Sequence, residues 1–180
     1  MHFVAEPEQP SEVRPRRDED IAEAAAVLVA VHEADGYPVE GVNDPEAWLK
    51  SPELIHAWVA VMAGRVVGHA GVGESHGDEA AAVWFERSGE DDSQVVVAAR
   101  LFVAPEARGT GLGKQLTETV MDYARRHGVR LVFEVMTKDA AAIRLYEKLG
   151  CQEVGRITHR YGEGQQTNAV CYVWPAPDHV

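Results

Sequence analysis

The sequence predicts an α/β fold, a mixed sheet with helices on both faces, and three observations carry that reading. Val95–Val103 is an almost unbroken apolar run, as expected for a strand buried on both faces. It leads through a glycine-rich turn into a segment where Leu112, Leu116, Val120 and Ala124 recur every four residues, which is helical spacing. Two pairs of apolar runs, 56–62 with 66–72 and 152–158 with 168–174, are joined by glycine-bearing segments in hairpin fashion. Strands that pair locally and strands separated by helices therefore share one chain, which is the pattern of a mixed sheet.

Taken in order, residues 1–11 carry prolines and charges with little periodicity and read as a tail. A single domain is expected over 12–175, with a short tail at 176–180. A short strand is expected at 12–15, after which Asp18 caps a helix with Glu19 and Asp20 in its first turn. Ile21, Ala24, Leu28 and Val31 form its apolar stripe, and Gly36 lies just past its end. Residues 37–50 contain Pro38, Gly41 and Pro45, so a loop is followed by a short helix bearing Trp48. The hairpin turns at Ala63-Gly64-Arg65. Alanines over 80–87 suggest a further helix, and 88–93 are polar and turn-like. After the central strand and its helix, Arg125, Arg126 and His127 precede Gly128, cations that suit the negative end of a helix dipole. A strand at 131–135 follows, then a helix over 140–149 that Asp139 caps and Gly150 stops. The closing strand pair turns through Gly162 and Gly164.

Composition excludes several classes. The chain has 180 residues, 46% hydrophobic, enough for one sizeable core. Its 29 acidic residues against 17 lysines and arginines give a formal charge of −12, a poor match for nucleic acid or an anionic membrane and an attractive field for cations. The longest apolar run, 24–31, is far below the roughly 20 residues of a membrane span. There is no signal-peptide pattern. Cys151 and Cys171 have neither metal-ligand spacing nor disulfide density, so they read as buried thiols of a cytoplasmic protein. His32, His56, His69, His127 and His159 are scattered without ligand spacing, and no metal is expected.

The strand-to-helix turn carries the functional signal. Arg108-Gly109-Thr110-Gly111-Leu112-Gly113-Lys114 sits where a helix begins, and the first N–H groups of a helix lack partners while its dipole favours an anion. A P-loop is unsupported because Gln115, without a hydroxyl for Mg²⁺, follows Gly113-Lys114. A dinucleotide fingerprint needs G-x-G-x-x-G, whereas the spacing here is G-x-G-x-G. A turn that simply starts a helix is the plain alternative. Arg-x-x-Gly-x-Gly after Leu-x-Val-x-Pro resembles the acyl-CoA pyrophosphate loop of the GNAT acyltransferase superfamily. The segment from Asp139 to Cys151 is similar to that family's N-x-x-A-x-x-L-Y-x-x-x-G-F region, with Ala142, Leu145, Tyr146 and Gly150 in place. Asp139 stands where Asn is usual and Cys151 where an aromatic is usual. The first change touches any side-chain contact to the pantetheine arm and leaves capping intact; the second alters packing.

The resemblance implies the GNAT acyl-CoA N-acyltransferase fold and transfer of an acetyl group from acetyl-CoA, without metal, to a primary amine of a small molecule or peptide. It implies that the strand ending at Val103 splays from the strand at 131–135, that Phe102, Val103 and Ala104 pair with the pantetheine, and that the Val103 N–H faces the thioester oxygen. The turn from Arg108 to Lys114, namely Arg108, Gly109, Thr110, Gly111, Leu112, Gly113 and Lys114, would take the pyrophosphate, with Asp139 and Ala142 beside the cofactor. Tyr146 would protonate the departing thiolate, and packing against the strand is its alternative role. The general base is open among Glu74, His76, Glu134 and a water chain. Arg100 interrupts the apolar strand and is read either as paired with a protein carboxylate or as reaching a substrate carboxylate in the acceptor cleft, with Glu74 nearby. A GNAT-like module that binds acyl-CoA as a sensor or scaffold without turnover is the competing function, and a homodimer is compatible with everything read here.

Overall fold

Each apolar run read as a strand becomes one in the computed structural model, which describes residues 10–38 and 40–177. The strands are β1 (Ser11–Pro15), β2 (Leu54–Met62), β3 (Arg65–Glu74), β4 (Val95–Val103), β5 (Arg130–Met136), β6 (Gln152–Tyr161) and β7 (Gln165–Trp174). The helices are α1 (Ile21–Asp35), α2 (Pro45–Leu49), α3 (Glu79–Ser88), α4 (Leu112–His127) and α5 (Ala140–Lys148). One sheet runs β1-β2-β3-β4-β5-β7-β6, and only β4 and β5 are parallel. Ser11 already belongs to β1, pairing with Met62, and Pro10 O accepts the Ala63 N–H at 3.0 Å; residues 1–9 of the expected N-terminal tail lie outside the described residues.

The helices divide between the two faces as the alternation of each strand dictates. On one face α4 packs Leu112, Leu116 and Val120 against Val96, Leu131, Phe133 and Val135, and Tyr146 of α5 joins them. The other face is shared. There α1 and α2 bury Leu28, Val31 and Leu49 on Val59, Val66 and Phe102, and α3 buries Ala80 and Trp84 on Val95, Val132 and Cys171.

Three expectations change. The α1 cap is not Asp18: residues Asp18–Asp20 form a 3-10 turn, and Asp20 accepts the Arg17 N–H at 2.7 Å while holding Arg14 with both oxygens, at 2.7 and 2.9 Å. The final hairpin turns tightly, because β6 continues to Tyr161 and β7 already begins at Gln165. The third change makes the site. β4 is buried at Val95–Val97 and Phe102 but only partly covered from Ala98 to Leu101, because its pairing to β5 stops at Val97 with Val132 while its pairing to β3 continues to Val103 with Gly68.

Candidate active site

Where β5 leaves it, β4 presents an unpaired backbone edge. The Ala104 N–H donates to Val67 O at 2.7 Å, and Phe102 O also points at β3, close to Gly68. Backbone groups alternate sides along a strand, so Leu101 and Val103 turn their N–H and C=O groups into the opening toward β5. An extended chain bearing amides could pair along that edge, with the Val103 N–H innermost. The expected splay between these strands is present.

One end of the opening meets α4. Gly109 and Gly111 take φ of +77° and +84°, a left-handed backbone that other residues adopt at a cost, and Gly111 is the N-cap. The first intrahelical bond runs from Gln115 N–H to Gly111 O at 3.1 Å, leaving the N–H groups of Leu112, Gly113 and Lys114 with no such partner among the described residues. A Cβ on Gly113 would lie 3.8 Å from Val103 Cγ2, so the helix start and the open strand edge are immediate neighbours. Arg108 is turned to Asp35 at the end of α1, through a bidentate pair that raises its pKa, with one contact at 3.2 Å. Lys114 is exposed and 3.8 Å from Glu118. The loop's anion-binding capacity thus resides chiefly in its backbone.

Tyr146 lies on the α4 face of the opening, buried against Phe133 at 4.7 Å and Tyr172 at 6.2 Å between ring centroids. Its hydroxyl meets the Thr117 side chain, and burial pushes its pKa upward. Asp139 caps α5 by accepting the Ala142 N–H at 3.1 Å, so the Asn-to-Asp departure keeps the capping function. Cys151, buried beneath Tyr146, has its thiol pushed up to about 12 by burial. Cys171 is likewise buried and free.

The base candidates separate. His76 is solvent-exposed and 3.4 Å from Asp92, and Glu74 is exposed at the end of β3. Glu134 sits on β5 two residues beyond its last pair with β4, bonded to His159 Nε2, while His159 Nδ1 is 3.3 Å from Glu79. Burial is the main cause raising its pKa, with Asp78 and Glu79 adding repulsion and His159 opposing it. The side-chain donors of Glu79, Glu134 and His159 all lie within 4.8 Å of one another, close enough to hold a cation. That grouping, assembled from three elements, has no sequence spacing to announce it. Both ring nitrogens already face carboxylates, which accounts for the geometry as an ion-pair network.

Arg100 is placed by a bulge. Its φ is +58°, and the β3–β4 register slips between His69 and Gly71. Before the slip Val95 faces α3; after it Phe102 faces α1 and α2, so Arg100 is turned out of the α4 core. His69, fully buried, fixes the bulge. Its Nε2 faces Arg16 Nη1 at 3.0 Å, which can only donate, so Nδ1 carries the proton and donates to Arg100 O at 2.8 Å. Burial lowers the His69 pKa to about 4.

Sequence reasoning missed Tyr37 and the role of Trp48. The Arg100 guanidinium lies 4.2 Å over the Trp48 ring and its Nε donates to Trp48 O at 3.2 Å. Tyr37 packs edge-on to Trp48 at 5.9 Å, where the charges of Arg100 and Glu134 and the Tyr146 phenol all act on its hydroxyl. The signal available was two aromatic residues, one in a proline-punctuated loop and one on the short helix after it, with no periodic apolar partners.

A parallel strand pair that parts beside a glycine-started helix, within a seven-stranded mixed sheet, defines an acyl-CoA transferase type of fold. The chain belongs to the acetyltransferase (GNAT) family, whose profile matches residues 12–151. It is similar to an N-acetylaspartate synthetase of Xenopus tropicalis, 32% identical over 59% of this chain and 34% of that protein. It is also similar to the N-acetyltransferase YjgM of Escherichia coli, 31% identical over 66% of this chain and 65% of that one. The chain thus spans about a third of the first relative and 65% of the second. Among solved structures, an N-acetyltransferase of Staphylococcus aureus superposes with a TM-score of 0.70, at 19% identity, covering 91% of this chain and 97% of that one. The Salmonella typhimurium yncA structure, solved with acetyl-CoA, gives 0.65 at 22% identity, covering 94% and 99%. No helix among the described residues is long and apolar enough to cross a membrane.

Proposed function

We propose that this protein transfers the acetyl group of acetyl-CoA to a primary amine by direct attack. The observation that carries the reading is the open β4 edge at Leu101 and Val103 lying between the start of α4 and Glu134. An acetyl-CoA whose pantetheine amides pair with that edge would place its pyrophosphate at the Leu112 to Lys114 N–H groups, and the Val103 N–H would meet the thioester oxygen as negative charge develops there. The acetyl-CoA seen with the Salmonella protein agrees with this choice of donor.

The roles follow from position. Glu134, raised in pKa and oriented by His159, accepts a proton from the ammonium of the acceptor. The freed amine forms a bond to the thioester carbon, the C–S bond breaks, the sulfur takes a proton from Tyr146, and the proton that the nitrogen sheds on becoming an amide restores the phenol. The phenol is protonated at neutral pH, and the thiolate that forms beside it is the base that draws its proton. Phe102 and Ala104 spend their backbone groups on β3 and act as the rigid backing of the edge. Release of free thiol from acetyl-CoA, measured across a panel of primary amines, is the test. Turnover with at least one amine, dependent on Glu134, is expected. Tight acetyl-CoA binding with no thiol release from any amine would assign the protein to the acyl-CoA sensor class.

A further inference from the structure

We propose that the cavity between β3, β4 and the start of α3 binds an α-amino acid acceptor, its carboxylate on Arg100 and its amino group turned toward Asp78. This rests on the acetyl-transfer reading above and narrows the acceptor to a zwitterion.

The first support is what holds Arg100. Among the described residues no carboxylate lies within 4.0 Å of its guanidinium; its protein partners are the Trp48 ring and, through Nε alone, the Trp48 carbonyl. Both terminal nitrogens keep their donors, in the fork that matches a carboxylate. A partly buried guanidinium without a counter-charge is costly in an apo protein and favourable once an anion arrives. The backbone strain points the same way. A left-handed arginine is uncommon, and here the bulge that imposes it is pinned by a fully buried histidine, so the fold maintains the distortion that aims this side chain.

The second support is the cavity. Arg100 lines one side together with Ala99 and Val97, and Asp78 lines the other. The space therefore offers one ligand both a cation, Arg100, and a carboxylate, Asp78. A molecule with a carboxylate and an ammonium a few ångströms apart fits that polarity; a simple amine uses half of it. The volume, about 220 Å³, is below the roughly 300–1,000 Å³ of pockets for larger ligands, which suits a single amino acid. Glu53 and Glu74 also line the space, so a second carboxylate on the acceptor would be repelled. Neutral amino acids are therefore expected to outrank aspartate and glutamate.

The test reads binding directly. Neutral L-amino acids, each paired with its α-amide, are titrated calorimetrically into protein saturated with CoA. At least one acid should bind ten-fold or more tighter than its amide, and Arg100→Gln should abolish that difference while leaving the amide unchanged. Arg100→Gly relieves the positive φ and so keeps the fold; it should show the same selective loss, which separates recognition from unfolding. Equal binding of acids and amides, loss of both alike in Arg100→Gly, or no binding by any acid would each overturn the proposal. Binding needs no turnover, so amino-acid binding without thiol release would reject the transfer reading and leave this site standing. Thiol release from amides as fast as from acids would do the reverse.

Discussion

Glu134 stands at the parting of β4 and β5 with its carboxyl held above the ordinary carboxylate range by burial, and it can accept a proton only when ionised. As pH falls through that raised value the base is lost, so kcat/KM for any amine should fall on an acidic limb lying above the usual carboxylate titration. Glu134→Gln should remove the limb and lower turnover by roughly 10²–10⁴-fold with acetyl-CoA binding intact. A full pH-rate profile for both proteins checks this, and an unchanged limb in the variant would give the base to another group. Tyr146 calls for a different readout because it serves the core as well as the cleft. Tyr146→Phe keeps the ring against Phe133 and Tyr172 and removes only the hydroxyl that meets Thr117. Turnover should drop by about 10²–10⁴-fold while the melting temperature moves little. Near-normal turnover at saturating substrate would leave Tyr146 a packing residue.

At the level of elements, the bulge in β4 and the turn into α4 make separable predictions. His69 is neutral in the folded protein, its pKa lowered to about 4, whereas an unfolded histidine titrates near about 6.5. The unfolded chain therefore binds the extra proton first. The stabilisation is complete above about pH 6.5 and is lost as pH falls toward about 4, a change on the order of 3 kcal/mol. Denaturant midpoints across that range should decline, and His69→Gln should flatten the decline; a slope unchanged by the variant would show that other groups cause it. In the turn, Gly111 is held by its φ, but Gly113 has ordinary φ and room for a side chain. Gly113→Asp should therefore fold and yet lose the rise in melting temperature that acetyl-CoA gives the parent, because a carboxylate would occupy the phosphate position. An equal rise in both proteins would move the phosphates elsewhere. The turn was legible in the sequence because strand, glycines and helix are consecutive, and so were Asp139 as a cap and the pairing of both hairpins. Groupings that need distant elements to meet were not legible. Glu79, Glu134 and His159 come from α3, β5 and β6, and Tyr37, Trp48 and Arg100 meet only once α2 packs on β4. Asp18 misled because Arg14, six residues before Asp20, draws that later carboxylate into the cap. Arg100 supported two readings in the sequence, since nothing local tells whether a strand arginine will find a protein carboxylate.

For the whole molecule, a formal charge of −12 spread over 180 residues sets a field that the cleft partly shares, through Glu53, Glu74 and Asp78. Long-range attraction acts on an acceptor's net charge, whereas Arg100 acts on its carboxylate at contact, and ionic strength separates the two. L-lysine and L-norleucine share a zwitterionic head and a side chain of similar length, so they differ at the cleft mainly by one positive charge. Raising the salt from about 0.01 to 0.1 M shortens the screening length from roughly 30 to about 10 Å. The kcat/KM for lysine should then fall severalfold while that for norleucine stays nearly constant. Initial rates of thiol release at subsaturating amine read this directly. Parallel salt curves for the two amino acids would mean that the molecule's overall charge does not reach the acceptor, leaving discrimination to the residues lining the cleft.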